Sequence, residues 1–192
     1  MKKETVVCAL ALAPLVPAMS RLSYALVLGS AFFILLLVGI LSAKAISRIG
    51  LRESHPAILL AALTATASLF VLALRALYPL LAVSLSFFVH ILAVSGLVVF
   101  SVSSDDTDRA ASIALYAIPF FLVFAAAREF LSFGMLTVPA PSGLVAIVSV
   151  PAIAEYGMPF WATAGGALFL AGAFVWIAKR ARRMASLYSR RA

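Results

Sequence analysis

The stretch LSYALVLGSAFFILLLVGILSAKAI, residues 22–46, carries one charge, Lys44, in twenty-five positions. A helix needs about 20 apolar residues to cross the hydrocarbon core of a bilayer, and a soluble core has little use for one this long and this uniformly greasy. Four further segments meet the same standard: 56–78, 80–101, 109–131 and 157–178. The composition agrees with them. Of 192 residues, 65% are hydrophobic and 11% charged, against roughly 45–50% and about 25% in soluble domains. One core cannot hide that excess, so lipid must be the solvent for most of the surface. The chain is predicted to be an all-α integral membrane protein.

The net charge of +8 raises nucleic acid as a partner, but the placement of the charge argues for the lipid bilayer and no nucleic acid. Six basic residues sit in the tail 179–192 (Lys179, Arg180, Arg182, Arg183, Arg190, Arg191), and Lys2, Lys3, Lys44, Arg48 and Arg52 flank apolar spans. Basic clusters at span ends fix topology and attract anionic headgroups. The single cysteine, Cys8, excludes an internal disulfide and cannot hold a metal alone. The N-terminus has the outline of a signal peptide, but Pro14 and Pro17 interrupt its apolar run, and a retained segment is the preferred reading.

Ionisable groups at membrane depth are costly and therefore candidates for function. His90, in SFFVHILAVSG, is expected to lie deep, at mid-membrane, either relaying protons or binding a ligand or, as the favoured reading, sitting neutral on a backbone carbonyl of a neighbouring helix. Arg128 and Glu129, at the end of the fifth of these six spans when the segment 4–19 discussed below is counted, can either pair with adjacent helices or guard an entry; equally, they can snorkel to the interface. Asp105, Asp106 and Asp108 precede a helix and read as caps rather than as a cation site, and His55–Pro56 reads as a turn. No nucleophile elbow, zinc motif, phosphate loop or dinucleotide fingerprint is present, so the chain is at most a non-catalytic subunit. Residues 132–156, SFGMLTVPAPSGLVAIVSVPAIAEY, form an unusually apolar connection, expected to lie at the interface or dip partway in. Such a segment needs protein cover for its backbone, supplied by a neighbouring subunit or by its own bundle.

Several segments, taken in order, resemble one family. AAAREFLSFGMLTV (125–138) is similar to an Ile-Arg-Glu-Ile-Leu-Gly-x-Gly-Thr-Leu segment of the six-helix membrane subunits of Rnf and Na⁺-translocating NADH:quinone reductase complexes, in the RnfE/NqrD branch, with Arg128, Glu129, Leu131 and Gly134 in place. HPAILLAALTATASLFVLALRALYPLLAV (55–83) resembles that family's third span and the start of its fourth. MPFWATAGGALFLAGAFVWIAKRARR (158–183) resembles its last helix and basic tail.

The resemblance implies six spans, with 4–19 as a short first one, the first and fourth broken near mid-membrane, and an inverted 3+3 repeat. With both termini cytoplasmic, twelve basic residues fall inside and three (Arg21, Arg75, Arg128) outside, as the positive-inside rule requires. It implies an inverted-topology RnfA/NqrE-type partner, other Rnf/Nqr subunits, and a bacterial inner-membrane location. In that family the two breaks present cysteines to an intramembrane 2Fe–2S cluster, which thiolates must hold. Here the first motif, Leu-Gly-Leu-Cys-Pro in the family, reads Leu10-Ala11-Leu12-Ala13-Pro14, with Ala13 at the cysteine position. In the second, Leu92 replaces the cysteine ahead of Gly96. Neither side chain can bind iron. Cys8 stands five residues before Ala13, about 7 Å along a helix, too far to substitute. The expectation is a structural or ion-conducting subunit without its own cluster, and no cofactor. A small transporter, or a substrate-binding membrane component reusing half-helix ends near mid-membrane, is the alternative. Pro14, His90, Gly96, Arg128, Glu129 and Gly134 are the positions expected to matter for function or partner contact.

Overall fold

A computed structural model describes residues 13–49, 55–102, 107–141, 143–151, 155 and 157–189. Five helices dominate it: α1 (Leu22–Ile49), α2 (His55–Leu77), α3 (Pro79–Val102), α4 (Thr107–Phe133) and α5 (Ala164–Ser189). A 3-10 turn, Ala13–Leu15, precedes α1, and another, Pro159–Ala162, precedes α5. Three helices are long and apolar enough to cross a membrane, over Leu22–Arg48, Pro56–Leu77 and Pro79–Phe100. These agree with the second, third and fourth predicted spans to within a few residues.

The helices alternate in direction because their connections are too short for anything else. Residues 50–54 cannot run back along the 23-residue α2, which is about 34 Å long. Only Tyr78 separates α2 from α3. Pro79 starts α3, where its missing N–H costs nothing, and it keeps Tyr78 out of the helix. The starts of α1 and α3 and the ends of α2 and α4 therefore share one end of the bundle, called here the hairpin end. Lys44 and Arg48 lie at the other.

Helix α1 is central and packs on α2, α3 and α4. Leu59, Leu63, Ala67, Val71 and Leu74 form the buried face of α2, at the three- and four-residue steps of a single helical stripe. Close packing is visible at Gly39, where any side chain would overlap the Phe100 ring. The outward faces carry Leu69, Leu72, Val83, Phe87 and Val94, all exposed, which suits lipid as solvent. Two hydroxyls of α2 are satisfied locally: Thr64 and Thr66 donate to the carbonyls of Leu60 and Ala62, each at 2.8 Å, which suits apolar surroundings.

Two expectations need correction. The chain is not all-α, because the apolar connection contains an antiparallel hairpin, β1 (Met135–Ala140) with β2 (Gly143–Ser149). Pro139, Pro141 and Gly143 supply the reversal, and the run GLVAIVS forms a strand. Secondly, the fourth span is unbroken. α3 continues through Leu92, which is 1% exposed in the helical core, so no irregular backbone occurs at the position where the resemblance implies a break. The inverted 3+3 repeat involves the first predicted span, of which residues 4–12 lie outside the described residues.

At the first predicted span, residues 4–12 and Cys8 lie outside the described residues, as do Asp105 and Asp106. Residues 13–18 form the 3-10 turn and a further turn rather than a helix, so the chain is irregular where Pro14 and Pro17 stand. Helix α5 meets the bundle mainly near its start, where Ala167 and Leu170 pack with Phe124. It reaches Ser189, so the basic tail is largely a continuation of this helix.

Candidate functional site

Arg128 and Glu129 are both 0% exposed. That rules out an interfacial snorkelling pair. Consecutive residues on a helix point about 100° apart, and each side chain serves a different neighbour. The guanidinium of Arg128 donates through Nε to Trp161 O (2.6 Å), through Nη1 to Val16 O (2.9 Å) and Pro17 O (3.2 Å), and through Nη2 to Ala162 O (2.7 Å) and Thr163 O (2.9 Å). An arginine has five N–H donors in a rigid fork, and these five carbonyls match that number. They belong to residues at, or just after, the ends of the two 3-10 turns. A cation is the appropriate partner for such ends, where carbonyl dipoles converge.

Glu129 does the complementary work. Its Oε2 accepts from Leu22 N–H (2.9 Å) and Thr137 N–H (3.1 Å), and its Oε1 accepts from Thr137 Oγ1 (2.6 Å). Leu22 opens α1, whose first N–H groups have no helical partner, so Glu129 acts as a remote N-cap. Thr137 reaches on to Ser23, with the two hydroxyl oxygens 2.8 Å apart, and both residues are buried. One turn of α4 thus holds the chain before α1, the start of α1, strand β1 and the entry to α5. Ser132 closes the turn by donating to Arg128 O at 2.7 Å.

Gly134 makes the reversal out of α4 possible. Its φ of 63° is one that glycine adopts freely and other residues at a cost. Its N–H donates to Phe130 O (2.9 Å) and its carbonyl accepts from Val150 N–H (2.8 Å), closing the base of the hairpin.

The remaining candidates lie apart from this clamp. His90 lies midway along α3 with its side chain on the exposed face. Its Nδ1 lies 2.7 Å from Ser86 O, one turn back on its own helix, and its Nε2 lies 3.5 Å from Ser68 Oγ on α2. An N–H on Nδ1 satisfies that carbonyl, so the expected carbonyl bond exists but goes to its own helix. A Cβ at Gly96 would meet Leu63 Cδ1 at 3.7 Å, ordinary contact between α3 and α2. Pro14 lies in the first 3-10 turn beside Ala13, which is partly exposed.

Among the described residues no cluster of three or more His, Cys, Asp or Glu side chains is placed to hold a metal. All five N–H donors of Arg128 and three acceptor positions of Glu129 are engaged by protein groups, so the arrangement holds structure. Thr137 and Ser23 were not among the expected site residues. The available signal was a lone threonine in an apolar connection, followed by prolines.

No family model matches the chain, and no solved structure matches it. It is similar to an uncharacterised protein of Treponema pallidum (strain Nichols), 26% identical over 185 residues, covering 94% of this chain and 91% of that one. The similarity therefore extends over nearly the whole of both sequences.

Proposed function

We propose that the chain is a non-catalytic membrane subunit of an Rnf/Nqr-type ion-translocating electron-transport complex. It resides in a bacterial inner membrane with six spans and both termini cytoplasmic, and it contributes structure or ion conduction without ligating a cluster. The observation that carries this reading is the pair of bonds from Arg128 to the carbonyls of Val16 and Pro17. An irregular first span is what the resemblance implies, and the family-like Arg-Glu pair is the group that satisfies its freed carbonyls.

The loss of ligands fits the same picture. Ala13 lies in that turn without a lone pair to offer iron, and Leu92 fills the core of an uninterrupted α3. A helix with no ligand to present has no reason to break, so the continuity of α3 and the missing cysteine support one another. The transporter alternative has less support. The helix and turn ends that a solute would use are occupied by Arg128 and Glu129, and α3 offers no second break.

The test is iron content and EPR of the protein purified with its membrane partner. The reading expects any 2Fe–2S signal to survive Cys8→Ser in this chain. A cluster that is lost with Cys8→Ser would overturn it.

A further inference from the structure

We propose that the part of α5 around Trp176, Lys179 and Arg180 binds the headgroup of an anionic phospholipid, drawn below the level of its neighbours. The apolar part of α5 spans Ala164–Ile177, about 20 Å of helix, against about 30 Å of hydrocarbon in a typical bilayer. α1 and α5 start from a similar level, because the consecutive Glu129 and Arg128 hold Leu22 N–H and Thr163 O. Both run away from the hairpin end. α1 meets its first cation, Lys44, about 33 Å from its start, whereas α5 meets Lys179 after about 22 Å. The contact between Phe174 and Phe120, ring centroids 6.3 Å apart, gives a similar offset. From there Lys179 lies about 7 Å further along α5, and Arg109 about 16 Å further along α4. Lys179 and Arg180 therefore stand roughly 10 Å short of the level that the cations of α1 and α4 reach.

A short span draws the bilayer thinner around it, and lysine and arginine usually snorkel toward water. Arg180 does the opposite. Its guanidinium carbon lies 5.5 Å from the centroid of the Trp176 ring, one turn back toward the hairpin end, so the charge is turned toward the hydrocarbon. Both cations are exposed, and after Glu155 the sequence contains no acidic residue to pair with them. Arg182 and Arg183 follow on the same helix. An anion has to come to these groups, and the anion that a bilayer supplies at its boundary is a lipid phosphate.

The helix surface below them suits the rest of such a lipid. Phe169, Gly172, Trp176 and Arg180 follow one another at three- and four-residue steps and so share one stripe. Phe169 and Trp176 are 64% and 61% exposed, and a Cβ at Gly172 would meet nothing within 4 Å. The two rings flank a shallow groove at Gly172 that an acyl chain can occupy, with its headgroup on Arg180 and Lys179. The guanidinium fork matches two phosphate oxygens, and the ammonium adds a point charge. A zwitterionic headgroup would bring its own ammonium against these cations, so an anionic one is selected. An acidic soluble partner has no access at this depth.

The test uses full-length Trp161→Phe protein, whose one remaining tryptophan is Trp176, in vesicles of phosphatidylcholine and phosphatidylglycerol. One lipid or the other carries bromine on its acyl chains, and bromine quenches a tryptophan that it touches. Brominated phosphatidylglycerol is expected to quench Trp176 several-fold more effectively than brominated phosphatidylcholine at equal mole fraction. The preference should vanish in Lys179→Gln/Arg180→Gln and persist in Lys44→Gln/Arg48→Gln, which removes the same charge from α1. Where Trp161→Phe does not fold, the phosphatidylglycerol that each chain with both tryptophans retains through detergent washes, counted by native mass spectrometry, replaces quenching as the readout. Equal affinity for the two lipids, a preference that survives Lys179→Gln/Arg180→Gln, or one lost equally in Lys44→Gln/Arg48→Gln would overturn the proposal.

Discussion

Arg128 and Glu129 are adjacent in sequence, yet they belong to separate networks, and that separation is measurable. Removing the Arg128 head leaves the carbonyls of Val16, Pro17, Trp161 and Ala162 without this donor at a buried site, Thr163 O keeping the N–H of Ala167, so Arg128→Met should cost on the order of 3–5 kcal/mol. Arg128→Lys, with three donors on a point charge, should lose less. Unfolding of the detergent-solubilised protein measures both. Glu129→Gln and Thr137→Val both touch the Oε1–Oγ1 bond of 2.6 Å, so a double-mutant cycle between them should show a coupling of roughly 0.5–3 kcal/mol. Arg128→Lys shares no partner with Thr137, and its effect should add to that of Thr137→Val within about 0.5 kcal/mol. Equal coupling in both cycles would mean that the pair acts as one unit. The charges at these positions were legible as costly. Their partners were not, because seven of the eight bonds made by the two side chains end on backbone atoms, and a backbone carbonyl at Val16 looks like any other in sequence.

At the scale of elements, lipid makes helices easy to read and hairpins hard. α1, α2 and α3 follow directly from uninterrupted apolar runs, because a spanning backbone must satisfy itself and a helix does so. The run GLVAIVS is equally apolar but too short to span, and periodicity alone does not separate a buried strand from a helical fragment. What decides it is the reversal at Gly134 and the turn after Ala140, tied down by Thr137. Two glycines test this. Gly134→Ala forces a side chain into a left-handed conformation and should cost about 1–2 kcal/mol, with faster proteolysis of the hairpin as the readout. Gly96→Ala meets only ordinary contact inside α3 and should be neutral, or stabilising by up to about 1 kcal/mol. The unbroken α3 shows the limit of reasoning by resemblance: Leu92 lacks the thiol, and the backbone around it is that of an ordinary buried helix.

For the whole molecule, the clamp explains how a bundle with an irregular N-terminal stretch and a peripheral last helix holds together. α5 buries little more than Ala167 and Leu170 against α4, while Leu168, Phe169, Val175, Trp176 and Ile177 stay exposed. The bonds from Arg128 to Trp161, Ala162 and Thr163 anchor its start. Phe120, Phe124 and Phe174 add a small aromatic cluster, with ring centroids 6.0–6.3 Å apart. A helix attached at one end and apolar around most of its length is suited to pack in a larger membrane assembly. Whether this chain is one subunit of such an assembly is read out by purifying tagged protein from its native membranes in mild detergent and identifying what accompanies it. The expected result is stoichiometric recovery of a multi-pass membrane protein whose basic residues fall on the opposite sets of loops. Recovery of this chain without such a protein, with a small solute bound to it, would contradict the account.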